Sequence, residues 1–128
     1  MPIDIPTPGQ PVRGSSTGKP IMALFDLLGR SWALGVIWQL SDRALTFRQL
    51  QTACEGVSPT VLNKRLKELT ASGFVVRNDQ GYLLSPSGAQ LLALLRPLGH
   101  YSEDWAETFT QTGESLAGHS PDAPRPGP

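Results

Sequence analysis

The chain has 128 residues, 39% hydrophobic and 17% charged, with eleven basic and eleven acidic side chains and a net charge of zero. One domain of this size can bury a core without staples, and its single cysteine rules out an intrachain disulfide or a cysteine-rich metal site. With no apolar run near the roughly 18–20 residues of a membrane span, and no basic-then-apolar leader at the N-terminus, the expectation is a cytoplasmic protein that needs no membrane, cofactor or metal.

Residues 1–19 carry four prolines, three glycines and only Arg13 and Lys19 as bases. Such a segment buries too little to offset its ordering entropy, so it is read as a flexible arm, an inert tail in the first instance, with a minor-groove contact through its two bases as the alternative. Pro20 and Gly29 bracket a first helix with Ile21, Leu24, Phe25 and Leu28 on its buried face. Ser31 is placed to cap a second helix, Trp32 to Leu40, apolar almost all round and so meant for a core or a subunit contact. Gly35 inside it costs about 1 kcal/mol against alanine, which suggests either close approach of another backbone or tolerance. Thr46 caps a short third helix, Phe47 to about Cys54, and Glu55-Gly56-Val57 forms a turn.

The next stretch, 58–73, is a helix with a marked start, two faces and a marked stop. Ser58 is a good N-cap, Pro59 suits the first position and Gly73 suits the left-handed residue past the end. Val61, Leu62, Leu66 and Leu69 share one side, while Thr60, Asn63, Lys64, Lys67 and Thr70 share the other. Short helix, turn with glycine and longer polar-faced helix together form a helix-turn-helix. After Gly73 the period becomes two: Phe74–Arg77 is a strand signal, 78–81 a tight turn and Tyr82–Leu84 a return strand. Ser85-Pro86 opens a last helix in which Leu91, Leu94, Leu95, Leu98, Tyr101, Trp105 and Phe109 recur every three or four residues. Pro97 predicts a kink or break between Leu95 and Gly99. An apolar stripe of this length exceeds what a small core covers, so Leu94, Leu98, Tyr101 and Trp105 are expected at a two-fold dimer interface, with a helix folding back on its own domain as the alternative. Residues 113–128 read as a disordered tail. The fold class expected is mainly α with a small β-hairpin wing, a winged helix-turn-helix over 20–112 that dimerises through terminal helices.

Charge is unevenly spread. Arg43 to Asp79 holds six bases against three acids, and Arg96 to the end holds two bases against five acids. The basic middle coincides with the helix-turn-helix, the footprint of a nucleic-acid binder.

Residues 20–105 resemble the HxlR family of bacterial winged-helix transcriptional regulators, relatives of the MarR type. Four segments carry the likeness: Leu24-Phe25-Asp26-Leu27-Leu28-Gly29-Arg30-Ser31-Trp32, Leu45-Thr46-Phe47-Arg48-Gln49-Leu50, Val57 to Leu69 followed by Gly73-Phe74-Val75, and Tyr82-Leu83-Leu84-Ser85-Pro86-Ser87-Gly88. The resemblance implies a homodimer on a palindrome-like operator of double-stranded DNA, each recognition helix in a major groove. It also implies repression or activation switched by a small reactive molecule or by cysteine oxidation. Three departures stand out. Gly18-Lys19-Pro20-Ile21 holds no cysteine where many members sense redox or electrophiles, Ser31 replaces the base before the junction tryptophan, and the wing is short.

Groove-facing roles are assigned to Thr60, Asn63, Lys64 and Lys67. Asn63 is suited to adenine and Lys64 to guanine, and Ser58 opens the helix where N–H groups favour phosphate. Thr46 and Arg48 are candidates for backbone phosphate. Arg77, Asn78 and Gln80 are candidates at the wing, where Arg77 reads equally well as a strand-end charge. Arg65 is either groove-facing or a structural ion-pair partner. Cys54 reads as a small buried hydrophobe. Trp32 and Trp38, with Tyr101 and Trp105, are candidates for a small-molecule effector pocket, with core or interface as the alternative. A regulator is thus weighed against a protein-interaction module and against a ligand or redox sensor without strong DNA binding. No catalytic residues are assigned, because no triad, Cys–His pair, metal spacing or phosphate loop is present.

Overall fold

The computed structural model describes residues 4–115, with side chains as far as Thr110. Among them the elements run α1 (Pro20–Leu28), α2 (Ala33–Gln39), α3 (Phe47–Ala53), α4 (Pro59–Ala71), β1 (Val75–Asn78), β2 (Gly81–Leu84) and α5 (Pro86–Ser115). The fold is mainly helical with one antiparallel hairpin, a winged helix-turn-helix. The chain divides into one unit ending at Ala93 and a second beginning at Leu94, and α5 contributes to both.

In the first unit α2 is the element the others pack on: it touches α1, α3 and α4. Its Val36 and Ile37 are fully buried with Leu50, Leu62, Leu66, Leu69 and Val75. Not all of α2 is covered, however. Leu34 and Trp38 remain exposed, so the all-round apolar helix buries one face only. The helix begins at Ala33 rather than Trp32, and Ser31 does not cap it. Trp32 is the N-cap instead, in the left-handed region at φ 68°, a strained place for a bulky side chain. Its ring explains Gly35: a Cβ there would come within 3.0 Å of Trp32 Cε3, so the close approach is of a side chain and not of a backbone.

The buried face of α1 also differs from expectation. Ala23, Asp26 and Leu27 point inward, and Ile21 and Phe25 are exposed. Both faces of this short helix carry apolar residues, so periodicity alone does not choose between them. Asp26 is turned inward because the arm supplies it with a partner. Residues 4–19, read as a flexible arm, form turns with a short bridge between Val12 and Ser15, and Arg13 pairs with Asp26 at 3.2 Å. Ile5, Pro6 and Pro8 line a small apolar hollow with Leu24, Leu27 and Phe74.

The helix-turn-helix follows its local signals. Thr46 and Gln49 form a reciprocal capping box at α3. The turn carries Glu55 and Gly56 at positive φ, and Gln51 ties it down by donating to the Val57 carbonyl. Ser58 accepts from the Val61 N–H at the start of α4. At its end Gly73 is left-handed (φ 89°), with Gly73 and Phe74 N–H groups bonding back to Thr70 and Leu69 carbonyls, a Schellman arrangement. Strand β1 starts one residue later than predicted and pairs Val75 with Leu84 through Asn78 with Gly81. Leu45 bridges Tyr82 through two backbone bonds and so sets a third backbone segment beside β2.

Helix α5 runs unbroken through Pro97, so of the kink or break expected there the break is absent. A proline removes one backbone bond and need not end a helix that has many others. The helix reaches Ser115, so the first residues of the stretch read as a tail are helical, and the rest of that stretch lies outside the described residues. No single helix among the described residues is long and apolar enough to cross a membrane.

Where α5 begins, Ser85 donates to the Gly73 carbonyl and accepts from the Gly88 N–H, which joins the helix start to the end of α4. Gly88 leaves no room for a side chain, because a Cβ would collide with the Phe74 carbonyl oxygen. Gly88→Ala should therefore lower the unfolding free energy by about 1–3 kcal/mol in urea titration, the usual range for overpacking; an unchanged midpoint would contradict this packing.

Candidate nucleic-acid interface

The polar face of α4 is delivered to solvent by what its other face buries. Leu62, Leu66 and Leu69 are fully buried, while Thr60, Asn63, Lys64, Lys67 and Thr70 are all exposed. The one acid of the helix, Glu68, is not on the polar face: it is 2% exposed and held between two arginines. Arg30 from the α1–α2 junction donates to one carboxylate oxygen at 2.5 Å, and Arg65 donates to the other at 2.9 Å. Arg65 also donates to the Ser31 carbonyl at 2.7 Å and to its hydroxyl. These bonds settle the two readings of Arg65 in favour of a structural partner. They also give Ser31 its use, which is to receive Arg65.

Two concavities flank α4. In one, of about 390 Å³, Asn63, Lys67 and Thr70 meet Arg77 and Tyr82 of the hairpin. Arg77 lies over the Tyr82 ring at 5.1 Å, a cation–π contact that steadies the guanidinium. In the other, of about 500 Å³, Lys64 and Lys67 meet Arg13, Arg30 and Arg65, with Asp4, Asp26 and Glu68. The structure thus brings Asn63, Lys67 and Arg77 together. Asn78 and Gln80 lie at the exposed hairpin turn, where Asn78 Oδ1 accepts from the Gln80 N–H. Thr46 spends its hydroxyl on the α3 cap. Arg48 is exposed in a third groove, of about 800 Å³, with Trp38, Arg43, Gln49 and Thr52.

Trp38 lines that third groove without Trp32. On α5, Leu94, Leu98, Tyr101 and Trp105 are exposed, Leu94 by 75%, and Trp105 meets Phe109 edge-to-face at 5.0 Å. Cys54 is buried at the end of α3. Burial pushes its thiol above the ordinary range, and the Glu55 carboxylate adds to the push.

Sequence reasoning missed Glu68 and Arg30. A signal existed: Glu68 follows Val61 by seven residues, which returns it to within about 20° of an inward position. Its partner at Arg30 is 38 residues away and no local pattern announces it.

Residues 27–111 match the HxlR-like helix-turn-helix family. The chain belongs to that family. It is 27% identical over 89 residues to an HTH-type transcriptional regulator, YvaP of Bacillus subtilis (strain 168), across 64% of this chain and 82% of the relative. It is 26% identical over 110 residues to the HTH-type transcriptional regulator YodB of the same organism, across 80% and 95%. The quinone-bound crystal structure of YodB superposes with a TM-score of 0.61 at 27% identity, covering 66% of this chain and 96% of that one. Membership of this HxlR-like family makes the protein a DNA-binding transcriptional regulator.

Two outcomes follow. Glu68→Ala should cost roughly 3–5 kcal/mol of stability, the usual price of leaving buried charges unpaired; a loss below about 1 kcal/mol in urea titration would show that the cluster does not hold α4. Native Cys54 should alkylate with iodoacetamide far more slowly than the unfolded chain, with a rate midpoint displaced to higher pH; equal rates would contradict its burial.

Proposed function

We propose that the protein is a sequence-specific repressor that occupies a palindrome-like operator as a homodimer. The observation that carries the reading is the sidedness of α4: its hydroxyl, amide and ammonium groups are all outward, and its single acid is buried and neutralised. In this reading Thr60, Asn63, Lys64 and Lys67 face the major groove, with Asn63 suited to adenine and Lys64 to guanine O6 or N7. Ser58, Thr46, Arg48, Arg77, Asn78 and Gln80 meet the sugar-phosphate strands.

The homodimer rests on apolar surface that the single chain leaves uncovered. Leu94, Leu98, Tyr101, Trp105 and Phe109 follow one another at intervals of four, three, four and four residues along α5, and each is at least 47% exposed. A stripe of that spacing on a helix is a helix-packing seam, and closed two-fold pairing is the commonest way to cover one. Half-sites would then lie about one turn apart, roughly 34–36 Å.

A small-molecule effector belongs to the proposal, supported by the quinone in the YodB structure. The third groove, with Trp38 in its wall, is its candidate seat; Trp32 lies outside that wall. Reaction at Cys54 is not part of the proposal, because the thiol is buried and its pKa is raised.

Fluorescence anisotropy on a selected duplex across a salt series tests the reading. Affinity should fall steeply with salt, in proportion to the phosphates neutralised. Replacing both Asn63 and Lys64 by alanine should cost at least about 2 kcal/mol and relax base preference at two positions per half-site. Parental affinity and specificity in that double variant would remove α4 from the reading face.

A further inference from the structure

The recognition helix is a ridge between two clefts, and only the one toward the hairpin has a role so far. The opposite cleft holds five bases against three acids: Arg13, Arg30, Lys64, Arg65 and Lys67 against Asp4, Asp26 and Glu68. Arg30 and Arg65 are engaged by Glu68. Lys64 and Lys67 reach the cleft from α4 itself, and Arg13 reaches it from the N-terminal arm.

Arg13 is fixed there rather than merely nearby. Its guanidinium meets Asp26 Oδ1 at 3.2 Å, and its backbone N–H donates to Asp26 Oδ2 at 3.2 Å. The two partners differ in exposure: the Asp26 side chain is 6% exposed and that of Arg13 71%. Asp26 Oδ1 has no other partner among the described residues. Withdrawing Arg13 would leave a buried carboxylate unpaired, which is strongly unfavourable. The guanidinium has five N–H donors, and the ion pair leaves most of that fork facing solvent. A buried acid thus holds an exposed cation beside the recognition helix.

A helix with its side chains is about 10–12 Å across, and the major groove is about 12 Å wide. When such a helix fills the groove, the two bordering sugar-phosphate strands pass along its flanks. The hairpin cleft with Arg77 meets one strand. We propose that the cleft closed by the arm seats a backbone phosphate of the other strand, with the Arg13 guanidinium as its ligand. The arm is then a DNA contact and not an inert tail. This inference rests on the DNA-binding reading of α4.

The test uses the full chain and a selected duplex, with anisotropy titrations from low to moderate salt. The double variant Arg13→Ala with Asp26→Asn removes the pair without changing net charge or leaving a buried carboxylate alone. Its slope of log affinity against log salt should be smaller than the parent's by about 0.9 per bound chain, and its affinity should fall equally on selected and scrambled duplexes. Lys19→Ala, which removes the arm's other base from outside the cleft, should leave the slope at the parental value. A parental slope in the double variant overturns the inference while leaving the DNA-binding reading intact. An equal loss in Lys19→Ala also overturns it, because the arm would then act only through bulk charge. Failure of the parent to bind any duplex in a salt-dependent way would overturn the DNA-binding reading and this inference together.

Discussion

One buried carboxylate sets the direction in which α4 faces. Glu68 sits on the inner side of α4, clasped by Arg30 from the α1–α2 junction and by Arg65 one turn earlier on its own helix. Burying a carboxylate is costly, and two guanidinium partners with further hydrogen bonds are what make it tolerable. The return is orientational. An apolar face such as Leu62, Leu66 and Leu69 tolerates some rotation about the helix axis, whereas a charge-paired side chain at 2% exposure does not. The same contacts tie α4 to the junction where Trp32 is held left-handed, since Arg65 also bonds the Ser31 carbonyl.

The rest of the first unit serves the same end. The capping box of α3, the Ser58 cap and the Gly73 stop fix where α4 begins and ends. The Leu45 bridge and Gly81, which has no room for a side chain against the Leu45 backbone, hold the hairpin beside α4. Arg77 is steadied on Tyr82 at one flank and Arg13 on Asp26 at the other. Two of the cations beside the helix are therefore held by partners of their own.

How much of this was legible in the sequence depends on the range of the interaction that decides it. Helix α4 is legible to its caps because Ser58, Pro59 and Gly73 act within one turn of the positions they define. The hairpin and α3 were legible for the same reason. The α1 face was not, because Ile21 and Phe25 compete with Ala23 and Leu27, and the choice is made by Arg13, thirteen residues before Asp26. Ser31 looked like a cap because of its residue type, but its hydroxyl and carbonyl are both taken by Arg65, 34 residues on. Pro97 looked like a break because a single residue cannot show how many neighbouring turns remain intact. In the interface, the outward residues of α4 followed from periodicity, and the acid that orients them did not, since its partners come from another helix and a junction.

The central proposal is that α4, oriented by Glu68 and repeated in a two-fold pair, reads DNA. Selection of duplexes from a random library tests it most directly. The account predicts enrichment of an inverted repeat whose half-sites are separated by about one helical turn, roughly 10 base pairs, protected by two chains per duplex. Enrichment of a single unrepeated site bound by one chain would contradict the dimer, and no enriched sequence at any salt concentration would contradict the reading of α4 itself.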